Sequence, residues 1–280
     1  MEQQMSPMGR LARFVIATDG SEFTVGARKV GVDLAKKAVA KIFPVMMVYV
    51  NPEYAALAPQ LVEKAENDAM AHLKTIVEAA QAAGVEAEPL IRHGDLPHEV
   101  IVGAAGSVNA DVIVVGRRGR RGLARIMVGD ATVKVIGAAR CSVLVVPKAA
   151  AMWQKRILLA TDGSRFGDAA AVAAANVARC CKLPVTVVGA LVPSHSAQRQ
   201  QEGRDAVART VDYLKKEGFD AEGVVEPGEA ADVIAAAADT AGADLIVMGT
   251  HGRTGFERVL VGSVAERVIG LAKCPILVVK

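Results

Sequence analysis

The sequence predicts an α/β protein of two tandem units, each a five-stranded, doubly wound parallel sheet with helices on both faces. Three observations carry this. The same unit occurs twice: Phe14-Val15-Ile16-Ala17-Thr18-Asp19-Gly20-Ser21 returns as Ile157-Leu158-Leu159-Ala160-Thr161-Asp162-Gly163-Ser164, and Ala110-Asp111-Val112-Ile113-Val114-Val115-Gly116 returns as Ala243-Asp244-Leu245-Ile246-Val247-Met248-Gly249. Short apolar, β-branched runs alternate with long Ala-rich amphipathic stretches, the pattern of strand–helix–strand units with right-handed crossovers. Finally, 52% of the 280 residues are hydrophobic but only 4% are aromatic, so the apolar weight lies in Ala, Val, Ile and Leu.

Taken in order, the first strand is expected near 13–17, where the apolar run Phe14–Ala17 ends at Thr18-Asp19-Gly20. The second is expected near 44–50, the third near 86–91, the fourth near 111–116, and the fifth near 142–147, where Ser142-Val143-Leu144-Val145-Val146 follows Cys141. The second copy repeats the series near 156–160, 185–192, 221–226, 244–249 and 275–279. Runs such as Leu245-Ile246-Val247-Met248 are apolar without alternation, as a parallel strand covered on both faces requires. The copies are offset by 143 residues at Asp19 and Asp162 but by 133 at Gly116 and Gly249, which puts about ten extra residues in the first copy, near Asn51 to Gln60. The units are therefore placed at 1–148 and 149–280, with a short joint at Ala149 to Gln154. The joint is too short to hold them apart, so they are expected to pack together.

Composition narrows the function classes. No apolar stretch approaches the ~20 residues of a membrane helix. The first ten residues lack the basic start and apolar middle of a signal peptide, so a cytoplasmic location is expected. The four cysteines, with Cys180 and Cys181 adjacent, show neither Cys-x-x-Cys nor zinc spacing and read as reduced thiols.

Ligands of doubly wound sheets bind at the carboxyl ends of the strands, where the strand order reverses. The fourth strand of the second copy ends in Gly249-Thr250-His251-Gly252-Arg253 and continues to Gly262-Ser263, where a helix opens. Glycines let a ligand approach the backbone, and a helix start presents free N–H groups to an anion. Such a loop can cradle phosphates without a lysine. No Gly-x4-Gly-Lys-Ser/Thr occurs, which excludes a P-loop NTPase. A structural reading stands beside it: Ser263-Val264-Ala265-Glu266 is a capping box with Ser263 as N-cap, and the glycines turn the chain.

The spacing Gly249-x2-Gly252-x9-Gly262-Ser263, together with Thr161-Asp162-Gly163-Ser164 and the ending Cys274-Pro275-Ile276-Leu277-Val278-Val279, resembles the universal stress protein family over nearly the whole chain. The resemblance implies Rossmann-like domains of the adenine nucleotide alpha hydrolase-like type, ATP as ligand with Mg²⁺ as a candidate companion, and pairing through the last strands. In a tandem chain that pairing falls between the two copies, with a homodimer as a further arrangement. Carried over by position, Asp162 contacts the adenosine end, with Ala160 and Thr161 beside it. The backbone near Ala190 frames the base, although the family more often has Val there. Met248 and Gly249 lie against the sugar, Gly252, Gly262, Ser263 and Val264 hold phosphates, and Arg253 is placed to add charge. His251 lacks an acid or nucleophile beside it and reads as a loop residue; no catalytic residue is assigned.

The first copy departs from this pattern. Its loop runs Gly116-Arg117-Arg118-Gly119-Arg120-Arg121-Gly122-Leu123-Ala124-Arg125 and reaches Gly129-Asp130, so a carboxylate stands where the pattern has a hydroxyl. Asp130 would satisfy the helix start itself and repel a phosphate. The rival reading is that the five arginines overcome that repulsion. Residues 1–148 hold 18 Lys and Arg against 15 Asp and Glu, while residues 149–280 hold 15 of each, so the excess basicity belongs to the first copy. One basic loop without interleaved aromatics is a weak nucleic-acid signal. His93-Gly94-Asp95-Leu96-Pro97-His98 resembles a metal cluster but reads as a strand-to-helix turn, because its counterpart Glu226-Pro227-Gly228-Glu229 has no His. Ser21 and Ser164 read as turn or cap residues. Three functions stay open: a nucleotide-dependent stress-response regulator acting on an unidentified protein partner, a slow ATP hydrolase, and a scaffold that binds no nucleotide.

Overall fold

The computed structural model describes residues 11–50, 57–117, 130–253 and 261–280. They form two compact units, residues 11–117 with 130–152, and residues 153–253 with 261–280.

In the first unit the strands are β1 (Arg13–Thr18), β2 (Lys41–Tyr49), β3 (Leu90–Gly94), β4 (Val112–Arg117) and β5 (Ser142–Pro147). Its helices are α1 (Val25–Ala38), α2 (Pro59–Ala82), α3 (Pro97–Ser107) and α4 (Asp130–Ala138). The strands are parallel in the order β3-β2-β1-β4-β5. The second unit has β6 (Ile157–Ala160), β7 (Val185–Leu191), β8 (Ala221–Pro227), β9 (Leu245–Gly249) and β10 (Ile276–Val279), with α5 (Arg165–Cys181), α6 (Ala197–Lys216), α7 (Ala230–Thr240) and α8 (Ser263–Leu271). Its order, β8-β7-β6-β9-β10, is the same. In each unit the winding reverses between the first and fourth strands, which is where such sheets open a crevice.

The apolar runs explain the layering. Val112–Val115 in β4 and Leu245–Met248 in β9 are wholly buried, so both faces of each sheet are covered by helices. Helix α5 starts at Ser164, whose hydroxyl accepts from the Gly167 N–H at 3.2 Å, as its cap reading required. Ser21 differs, since its hydroxyl makes no cap bond.

Two strand expectations shift. The third strand of the first unit begins at Leu90 instead of 86, because Pro44, opposite position 89 on β2, has no N–H to donate to the Glu88 carbonyl; before it, Ala87 makes only an isolated bridge to Ile42. The second begins at Lys41, with Pro44 accommodated inside it opposite Ile16. The extra length of the first copy is spread between its second and third strands, where α2 has 24 residues and α6 has 20. All four cysteines are partly buried thiols, none of them in a disulfide. Among the described residues, no helix is long and apolar enough to cross a membrane.

Candidate functional site

The carboxyl edge of the second sheet is tied together by main-chain hydrogen bonds to one carboxylate. β6 runs into Thr161 and Asp162, and the chain turns at Gly163 (φ 73°). One Asp162 carboxylate oxygen accepts from the Ser164 N–H at 3.0 Å; the other accepts from the Arg253 N–H at 2.9 Å. The Arg253 Nε–H donates to the Asp162 carbonyl at 2.6 Å. The turn after β6 and the loop after β9 are thus joined at the crevice. Gly252 fits because a Cβ there would stand 2.7 Å from the Asp162 carboxylate. At the far end of the loop, the Gly262 N–H donates to the Thr250 carbonyl at 2.9 Å, and a Cβ on Gly262 would meet that same oxygen at 2.9 Å.

That contact corrects the capping-box expectation. Gly262 is the N-cap of α8, Ser263 is the first residue inside the helix, and no side chain caps it. The helix begins one residue early because the Gly262 backbone bonds at both ends: its N–H to Thr250, and its carbonyl to the Glu266 N–H at 3.0 Å. The Ser263 hydroxyl is therefore not used as a cap. The amides of Ser263, Val264 and Ala265 precede the first intrahelical donor, the Glu266 N–H, and lie at the positive end of the helix dipole.

These elements enclose a cavity of about 630 Å³. All eleven residues singled out from the sequence line it: Ala160 at the end of β6, Thr161 and Asp162 in the turn, Ala190 in β7, Met248 and Gly249 at the end of β9, Gly252 and Arg253 in the loop, and Gly262, Ser263 and Val264 at the start of α8. The sequence reading missed His195, the Arg199 and Gly203 face of α6, Thr250, the start of α7 from Glu229 to Ala231, and Arg267. Motif spacing could not mark α6 and α7, which reach the cavity only through the crossovers. Thr250 lay in view, at an unspecified position inside the motif.

Charge is arranged differently from the expectation for Arg253. Its guanidinium pairs with Glu202 of α6 as well as with the Asp162 carbonyl. It is held as a brace between loop and helix, and it lowers the Glu202 pKa, with a smaller contribution from the Gln198 hydrogen bond. Arg267 pairs with Asp232 at 2.7 Å. The His251 ring lies 5.3 Å from Phe166, tilted at 45°, in keeping with a loop residue packed on α5.

The corresponding strand ends of the first unit carry larger side chains. Thr18 pairs with Met46 in the β1–β2 ladder, whereas Thr161 lies beside Gly189; Met46 and Met47 thus stand where the second unit has Gly189 and Ala190. The Met46 methyl reaches to 3.8 Å from the Cβ position of Gly20. His72 of α2 contacts the Thr18 hydroxyl at 3.1 Å, and Thr18 also bonds Thr24 at 3.1 Å. Burial, then Arg28, lowers the His72 pKa, with Asp19 opposing. Asp130, exposed at the start of α4, pairs with Lys134 at 2.8 Å. Of the arginine loop, Arg117 ends β4; Arg118, Arg120, Arg121 and Arg125 lie outside the described residues. The His93 segment is a strand-to-helix turn in which His93 bonds Glu66 at 2.6 Å, and Leu96 takes the N-cap position of α3. Among the described residues, no group of three His, Cys, Asp or Glu side chains is arranged to hold a metal ion.

Comparison with known proteins follows the repeat. The profile described as the Universal stress protein family matches residues 11–147 and again 154–280. A universal stress protein of Methanocaldococcus jannaschii is 36% identical over 139 residues, 45% of this chain and 82% of that protein. One of Mycolicibacterium smegmatis is 27% identical over 252 residues, 85% of each. Among solved structures, a universal stress protein from Archaeoglobus fulgidus DSM 4304 has a TM-score of 0.78 at 23% identity, covering 96% of this chain and 98% of that one, a likeness of fold.

Proposed function

The chain belongs to the universal stress protein family, and from that premise we propose that its second repeat binds ATP and that occupancy regulates the protein in a stress response. One observation carries the reading. Residues from five separate stretches of the second repeat, chosen for their match to a nucleotide-binding pattern, line one cavity that ends at an uncapped helix N-terminus. Its volume, about 630 Å³, falls within the range of small-molecule sites.

The chemistry divides along the cavity. Val188, Ala190, Val192 and Ile234 offer an apolar wall for a base, and the first-turn amides of α8 offer donors for phosphate oxygens. Both Asp162 carboxylate oxygens already accept main-chain N–H bonds, so its first role is to hold the two loops in register. Mg²⁺, where present, enters on the phosphates of the nucleotide. Regulation requires that the bound and empty forms differ in free energy toward a protein partner. A cytoplasmic setting belongs to the same proposal.

Mass analysis of nucleotide released from freshly purified protein, followed by calorimetry with the Gly262→Val variant, tests it. Co-purified ATP, and binding lost in Gly262→Val while the protein stays folded, support a nucleotide-dependent regulator. ADP accumulating with time in the wild type assigns hydrolysis instead. Calorimetry silent at millimolar ATP overturns the proposal and leaves the scaffold.

A further inference from the structure

Thr250 is 1% exposed, and its hydroxyl oxygen has no hydrogen-bond partner although both of its backbone groups are fully used. The N–H donates to the Val279 carbonyl at 2.9 Å, extending the β9–β10 ladder by one step, and the carbonyl accepts from the Gly262 N–H at 2.9 Å. The residue is therefore fixed in place, and the hydroxyl is the one polar group on it left unsatisfied. A buried hydroxyl without a partner is costly and calls for an explanation. Thr161, at the corresponding end of β6, differs in this respect: its hydroxyl accepts from the Gly163 N–H.

The direction of Thr250 follows from the strand. Gly249 faces α5, since a Cβ on it would meet the Phe166 Cβ at 2.6 Å. Successive residues alternate faces, so Met248 and Thr250 turn to the opposite side, and both line the cavity. That side is also where α8 begins, with Ser263 and Val264 lining the same cavity and no side chain capping the helix. A fixed hydroxyl and a set of free amides thus converge on one end of one cavity.

We propose that Thr250 is a ligand-binding residue whose hydroxyl donates to a phosphate oxygen of the nucleotide held at the α8 N-terminus. The inference rests on the nucleotide reading above and adds a contact that the glycine pattern does not specify. A hydroxyl left orphaned without ligand and satisfied with it makes binding favour phosphorylated ligands over the bare nucleoside. It also makes Thr250 a residue whose side chain works against the stability of the ligand-free protein.

The test uses the full chain and three proteins, wild type, Thr250→Val and Thr250→Ser, titrated calorimetrically with ATP and with adenosine and melted without ligand. Thr250→Val keeps the shape and removes the hydroxyl; it is expected to weaken ATP binding about tenfold, leave adenosine binding unchanged, and melt at or above the wild-type temperature. Thr250→Ser keeps the hydroxyl and is expected to bind ATP within about threefold of wild type. Wild type that binds ATP, with Thr250→Val binding it equally well, overturns this inference and spares the nucleotide reading. Equal loss of ATP and adenosine in Thr250→Val, or a lowered melting temperature, assigns Thr250 a packing role and also overturns it. Wild type that binds neither ligand overturns the nucleotide reading itself.

Discussion

Asp162 and Arg253, 91 residues apart, are joined twice: the Arg253 N–H donates to the Asp162 carboxylate at 2.9 Å, and the Arg253 side chain donates to the Asp162 carbonyl at 2.6 Å. The pair closes the crevice between β6 and β9 at its rim. It gives both residues a structural task before any ligand arrives, and it explains why Gly252, which lies between β9 and Arg253, has no room for a side chain.

Replacing Asp162 with Ala removes the acceptor for two main-chain N–H groups. Because the bonds lie near the surface, water replaces much of what is lost, and the expected cost is about 1 kcal/mol of stability. Binding should suffer more, because the loop bearing Gly252 and Arg253 loses its anchor. ATP affinity is expected to fall at least tenfold by calorimetry, with Asp162→Asn, which keeps one acceptor oxygen, in between.

Glu202 holds Arg253 from α6. With Glu202→Gln the guanidinium beside the cavity is released from a competing carboxylate, and ATP binding is expected to tighten severalfold. The Glu202 pKa is lowered, first by the Arg253 hydrogen bond. Its pairing therefore contributes stability above the ordinary carboxylate pKa and loses it as pH falls through the lower, folded value. Thermal melts from pH 7 downward should show wild type and Glu202→Gln converging in acid.

His72 titrates in the opposite chemical sense but with the same sign on stability. Burial and Arg28 hold its pKa below 6.5, so the unfolded chain takes up a proton more readily than the folded one. Stability is full above pH 6.5 and is lost as pH drops from there to the lowered folded value. A His72→Gln variant is expected to melt with a flatter pH dependence between pH 7.5 and 5.5. Equal slopes for the two proteins would remove His72 from the account.

The first repeat should not acquire nucleotide by repair of its motif alone. Asp130→Ser restores the hydroxyl of the pattern, but Met46 and Met47 still stand where the second repeat has Gly189 and Ala190, and His72 still contacts Thr18. Calorimetry is expected to give one ATP per chain for wild type and Asp130→Ser alike. Two per chain in the variant would show that Asp130 was the whole obstacle.

Repetition, hydrophobic run length and the Gly-x2-Gly-x9-Gly-Ser spacing were enough to read two parallel sheets and to name residues that meet in one cavity. Those signals are local, and each concerns backbone: a run buried on both faces, or a position where a Cβ cannot fit. What the tertiary structure alone decided depends on partners far away in sequence. The N-cap moved from Ser263 to Gly262 because the Thr250 carbonyl holds the Gly262 N–H. Arg253 became a brace because α6 brings Glu202 to it, and β3 starts late because Pro44 of β2 has no N–H for the Glu88 carbonyl. A side chain's role follows from which groups the fold brings within hydrogen-bond reach, and residue spacing does not carry that information.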